Sequence, residues 1–144
     1  MRPLNLRTNI FLDSGNPEET KEALNLLGFL DGQTTNPSLI AKNLVGRKMA
    51  EIELLDFYRR TVQEISKLIP DSSVSVEVYA DEKTTAEEML FQARMMYNWI
   101  PNAWIKLPII DEGLRAAEQA AKEKMRINMT LCFNQLQAAA VYSA

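Results

Sequence analysis

Histidine is missing from this sequence altogether, and cysteine occurs once, at Cys132. The first absence removes the commonest general acid/base and the commonest metal ligand together. Serine–histidine and cysteine–histidine catalysis are thereby excluded within the chain, and a zinc site would need histidines or several cysteines. A lone cysteine forms no internal disulfide. No apolar run approaches the roughly 20 residues that span a bilayer. Met1-Arg2-Pro3-Leu4-Asn5-Leu6-Arg7 lacks the apolar stretch of a secretion signal. These absences predict a cytoplasmic protein that makes no membrane contact. With a net charge of −3 there is no basic footprint for nucleic acid. The five glycines are scattered, so no glycine-rich loop follows a strand as in nucleotide-binding sheets. Lysine, carboxylates, amides and hydroxyls are left to carry any chemistry.

What is present is ordinary in bulk: 144 residues, 47% hydrophobic and 24% charged, enough for one domain with a sizeable core. Short apolar or alternating runs take turns with longer stretches of helical period. Asn9–Asp13 reads as a strand. Asn16-Pro17-Glu18-Glu19 then gives an N-cap, a proline at the first helical position and acids in the first turn. Thr20, Ala23, Leu24 and Leu27 share a face of that helix, which stops near Gly28. Asp31–Thr35 predicts a second strand, and Asn36-Pro37-Ser38 another helix start. The spacing of Ile52, Leu55, Tyr58, Val62, Ile65 and Ile69 predicts a long helix from about Gly46 to Ile69. Ser73–Val78 alternates strictly, as a strand does. Thr84–Glu87 fits a capping box, with Met89, Ala93, Met96 and Tyr97 inward on the helix it opens. Ala103–Leu107 predicts a fourth strand, Asp111–Lys122 a helix, Arg126–Thr130 a fifth strand, and Phe133–Ala144 a last helix.

Strands alternating with helices predict parallel βα units, hence an α/β fold. A doubly wound sheet and a (β/α) barrel compete at this point. The barrel places functional groups at the C-terminal ends of several strands, and that pattern is present. By the two-residue period, Asp13 shares a face with Phe11, Asn36 with Thr34, and Glu77 with Ser75 and Ser73. Lys106 likewise pairs with Trp104, and Thr130 with Asn128. On a curved wall all of these point into one mouth.

Lys106 lies in Trp104-Ile105-Lys106-Leu107-Pro108, an apolar surrounding that disfavours an ammonium and favours a neutral amine able to attack a carbonyl. A surface lysine with its stem along apolar neighbours fits the same stretch. Asp13 and Glu77 suit proton transfer beside the lysine. Asp13 also suits a strand-ending turn before Ser14-Gly15, and Glu77 an exposed position on a half-buried strand. Asn36 before Pro37 is equally an ordinary N-cap, and Asn128 and Thr130 fit exposed strand positions.

Taken together, Phe11-Leu12-Asp13-Ser14-Gly15, Thr34-Thr35-Asn36-Pro37-Ser38-Leu39-Ile40, Val74-Ser75-Val76-Glu77-Val78, Trp104-Ile105-Lys106-Leu107-Pro108 and Ile127-Asn128-Met129-Thr130-Leu131 resemble the transaldolase family, in family order through essentially the whole chain. The resemblance implies a (β/α)₈ barrel of the class I aldolase type and a part in carbohydrate metabolism. It matches Lys106 to the lysine that forms an imine with a ketose carbonyl. Asp13 matches the group that takes the C4-hydroxyl proton as the C3–C4 bond breaks, and Glu77 the carboxylate that moves protons through a water during imine formation and hydrolysis. Asn36, Asn128 and Thr130 match groups that bind substrate hydroxyls or hold that water, with Thr34 among the substrate-binding residues. No cofactor is implied. Related fructose-6-phosphate aldolases tend to carry glutamine where Glu77 stands, so the glutamate points to transaldolase. The family's barrels have more than about 200 residues and eight strands, so the expectation here is a single N-terminal partial-barrel domain over 1–144, with about five strands. The strands that would carry the family's phosphate-binding serine and arginines are not among these. The expected partner is a sugar phosphate, and the open edges predict a homo-oligomer or a complementing barrel fragment. Two alternatives to dihydroxyacetone transfer stay open, cleavage without transfer and a non-catalytic half-barrel.

Overall fold

The computed structural model describes residues 2–42 and 51–144. The described elements run β1 (Phe11–Asp13), α1 (Pro17–Leu27), β2 (Gly32–Thr34), α2 (Pro37–Lys42), α3 (Glu51–Leu68), β3 (Ser73–Glu77), α4 (Ala86–Tyr97), β4 (Ala103–Pro108), α5 (Asp111–Lys122), β5 (Ile127–Thr130) and α6 (Gln135–Ser143). All the strands lie in one sheet in the order β1-β2-β3-β4-β5, each parallel to the next. Sequential neighbours of this kind need a crossover between strands, and the helices supply it.

One face of the sheet carries the core. Val74, Val76, Ile105 and Leu107 are fully buried there, with Leu12, Ile127 and Met129 packed against them. From the helices come Tyr58, Val62 and Ile65 of α3, Met89, Ala93 and Met96 of α4, and Ala116 and Ala117 of α5. Each fully buried aliphatic side chain contributes about 1.5–3 kcal/mol. Alanines on α5 let it sit close to β4, and at Gly113 a Cβ would lie 1.9 Å from the Pro108 carbonyl oxygen. Only glycine permits that approach.

Helix boundaries follow local chemistry. Asn16 caps α1 by accepting the Glu18 N–H at 3.0 Å. Gly28 closes it at φ 75°, in the left-handed region, its N–H donating to the Leu24 carbonyl at 2.8 Å. The capping box of α4 is one residue later than Thr84–Glu87, being formed by Thr85 and Glu88. Thr84 is diverted because its hydroxyl donates to Asp81 at 2.8 Å and accepts the Asp81 N–H at 2.9 Å. Leu27 and Ile52 also depart from expectation: each ends its apolar face in solvent. The expected start of the long helix at Gly46 lies outside the described residues. Among the described residues no helix is long and apolar enough to cross a membrane.

Candidate active site

The opposite face of the sheet carries the polar side chains. Phe11, Ser73, Ser75, Trp104 and Asn128 surround a hollow of about 830 Å³ toward the N-terminal ends of the strands. Toward the C-terminal ends a second hollow, of about 540 Å³, is lined by Asp13, Asn36, Pro37, Ser38, Glu77, Val78, Tyr79, Ala80, Lys106, Pro108, Thr130 and Leu131.

Lys106 sits on β4, an interior strand between β3 and β5, so it is not a strand-edge lysine. It is only 8% exposed. Its apolar sequence neighbours Ile105 and Leu107 face the helices, since adjacent strand residues point to opposite sides. The surrounding it meets at the hollow is mixed, with Asp13, Glu77 and Thr130 beside Val78, Pro108 and Leu131. Glu77 is its partner directly across the β3–β4 register, and Nζ stands 3.0 Å from Glu77 Oε2. Burial pushes the Glu77 carboxyl above the usual carboxylate range, opposed by Lys106 and aided by the negative charge of Asp13. A shift in that direction favours the protonated form, as a group that takes up and returns a proton requires.

Asp13 ends β1 and accepts a hydrogen bond from Thr34 Oγ1 at 2.7 Å. The turn after it is held from behind: the buried Gln33 side chain donates to the Ser14 carbonyl at 2.8 Å and accepts from Thr20 Oγ1 at 2.7 Å. Asn36 caps α2, its Oδ1 accepting the Leu39 N–H at 2.8 Å, while also lining the hollow. The N-cap reading of Asn36 thus holds.

The structure thus brings Asp13, Asn36, Glu77, Lys106 and Thr130 around one hollow and leaves two expected members out of its wall. Asn128 lies one pleat deeper, where it donates to Ser75 Oγ at 3.0 Å. Thr34 reaches the hollow only through Asp13. Both line the other hollow instead, because residues two apart on a strand share a face but sit at different depths. Ser38, Tyr79 and Leu131 line the site without having been singled out. Each follows a strand end by a few residues, and that position was the available signal. Leu131 adopts φ 66°, an uncommon conformation for a non-glycine residue.

An amine in contact with one carboxylate, with a second carboxylate, an amide and a hydroxyl around the same space, can form an imine with a carbonyl compound and move the protons this requires. Comparison with known proteins bears on this set. The model of the Transaldolase/Fructose-6-phosphate aldolase family matches residues 10–144. A protein of Dehalococcoides mccartyi described as "probable transaldolase" is 43% identical over 90% of this chain and 53% of its own length. One of Thermoplasma volcanium with the same description is 40% identical over 90% of this chain and 52% of its own. A third, of Heliobacterium modesticaldum, is 43% identical over 86% and 50% respectively. The chain spans about half the length of the curated relatives it matches, and its parallel α/β sheet fits the partial barrel expected from the sequence. With the family model matching almost end to end, the chain belongs to the transaldolase/fructose-6-phosphate aldolase family.

Proposed function

We propose that the hollow at the C-terminal strand ends carries out Schiff-base chemistry on a ketose phosphate, with Lys106 as the covalent residue. The observation that carries this reading is the 3.0 Å contact between Nζ of the buried Lys106 and Oε2 of the half-buried Glu77. A proton passing from Nζ to the Glu77 carboxylate leaves a neutral amine. That amine attacks the ketose carbonyl carbon, and Glu77 returns the proton as water leaves and the imine forms. A protonated imine withdraws electrons far better than a ketone. Asp13 takes the C4-hydroxyl proton, the C3–C4 bond breaks, C4 leaves as the aldehyde carbon of a shorter aldose phosphate, and the electron pair is held as an enamine on the three-carbon unit. Addition of that carbon to an acceptor aldehyde, followed by hydrolysis, transfers dihydroxyacetone and frees the lysine. In this reading Asn36 and Thr130, which line the hollow, bind substrate hydroxyls.

Turnover of fructose 6-phosphate measured with and without an erythrose-phosphate acceptor tests the reading. Product that forms only with acceptor, and is lost in Lys106→Met, is the expected result. Release of free dihydroxyacetone without acceptor would favour simple cleavage, and turnover that survives Lys106→Met would overturn the reading. In the same proposal β1 and β5, each with one edge free of strand partners among the described residues, are closed by a second copy or a complementing barrel segment. Light scattering showing a stable monomer would contradict that part.

A further inference from the structure

Tyr58 belongs to α3, on the helix-covered side of the sheet, and is buried. It lines neither hollow on the polar face. Its hydroxyl nevertheless accepts the Glu77 backbone N–H at 2.8 Å and approaches the Glu77 carbonyl oxygen, as donor, at 3.3 Å. Thr35 Oγ1 is 3.0 Å away and itself donates to the Ser75 carbonyl at 2.8 Å.

The strand ladder explains why a phenol is needed there. Thr35 N–H donates to the Ser75 carbonyl at 3.0 Å, after which the chain turns at Asn36-Pro37 into α2. Glu77 lies two residues beyond Ser75, so its N–H and C=O face the same edge, now vacated by β2. Buried backbone groups left without partners are costly, and Tyr58 supplies both contacts. On the other edge β3 stays tied to β4, with the Val78 N–H donating to the Lys106 carbonyl at 3.2 Å. The ring is set by Trp99, edge-on at 5.6 Å between centroids and 77° between planes. Burial pushes the phenol above its ordinary range, so it stays a neutral donor and acceptor.

We propose that Tyr58 is a positioning residue: by replacing the missing ladder rung from the helix side, it fixes the backbone of Glu77 so that the carboxylate on the opposite face stays against the Lys106 amine. Its consequence for catalysis rests on the Schiff-base reading; its effect on Glu77 does not. No other residue on α3 touches Glu77 through a hydrogen bond among the described residues. The groups facing the Glu77 carboxyl are Lys106 from β4 and Asp13 from β1.

The test is Tyr58→Phe, which keeps the ring and removes the oxygen. The Glu77 carboxyl is titrated by carbon-13 NMR in the unaltered chain and in the variant, and imine formation with fructose 6-phosphate is followed across pH by borohydride trapping. Expected are a fall of about half a unit or more in the Glu77 midpoint, toward the ordinary carboxylate range as the side chain swings to solvent, and a trapping rate down about tenfold with a shifted pH profile. A Glu77 titration identical in both proteins overturns the proposal, whatever the change in melting temperature. If the unaltered chain traps nothing, the Schiff-base reading fails, while the titration still decides the role of Tyr58. Should the variant not fold, hydrogen exchange at the Glu77 amide of the unaltered chain decides instead. Protection comparable to that at Ser75 supports the latch, and exchange at the rate of an open amide overturns it.

Discussion

Four successive residues of β4 set the two faces of the sheet side by side. Ile105 and Leu107 are fully enclosed by helices, while Trp104 and Lys106 face the hollowed side at 37% and 8% exposure. The helix face is apolar and closed, and it carries most of the stability. The hollowed face is polar and partly open, yet its lysine is almost as hidden as a core residue. Lys106 lies on an interior strand with a carboxylate directly opposite it. A paired buried charge is a poor source of stability, so the two faces answer to different demands.

The largest test of that division uses adjacent residues. Ile105→Ala removes a fully buried side chain and should cost about 3 kcal/mol or more in urea unfolding. Trp104→Ala, one position earlier, should cost about 1 kcal/mol despite losing far more atoms. Equal costs would mean that the hollowed face is core as well.

Glu77→Gln comes next. It should slow imine trapping by about a hundredfold and change how stability responds to pH. The folded-state pKa of Glu77 lies above its unfolded value, with burial the chief cause. A carboxylate shifted that way costs stability above its folded pKa, and the cost vanishes below the unfolded value. The unaltered chain should therefore gain stability relative to Glu77→Gln as pH falls through that folded pKa. Attraction to Lys106 opposes burial within the same titration, so the sign of the slope reports which of the two prevails. A slope of opposite sign would mean that attraction to Lys106 outweighs burial.

The smallest effects distinguish the two ends of β5. Lys124 and Leu131 flank the strand at φ 60° and 66°, in a conformation that glycine adopts without strain. Lys124→Gly and Leu131→Gly should each stabilise by up to about 1 kcal/mol in thermal melts. Only Leu131→Gly should also weaken substrate handling, because Leu131 lines the C-terminal hollow and Lys124 does not. Parallel losses from both would remove the distinction.

Much of this could be read from the residues. Alternation in Ser73–Val78 and the apolar Ala103–Leu107 run mark strands without reference to anything distant, and the two-residue period puts Glu77 and Lys106 on one face. The sequence could not say that they stand directly opposite, because register is set by how β3 and β4 pair. It could not rank depth either, which is why Asn128 and Thr34 were expected in a wall they do not form. Thr84-Glu87 and Thr85-Glu88 are equally good capping boxes on paper. The choice was made by Asp81, which occupies the Thr84 hydroxyl. Tyr58 read as one apolar member of a helical face, and so it packs. The use of its hydroxyl depends on where β2 leaves the sheet, a tertiary fact with no local signature.

The most direct measurement of the central claim is where substrate carbon becomes attached. After incubation with fructose 6-phosphate and borohydride reduction, peptide mass spectrometry should find the added mass on the fragment containing Lys106, and Lys106→Ala should carry none. A reduced adduct on another lysine, or one that persists in Lys106→Ala, would contradict the assignment of Lys106 as the covalent residue.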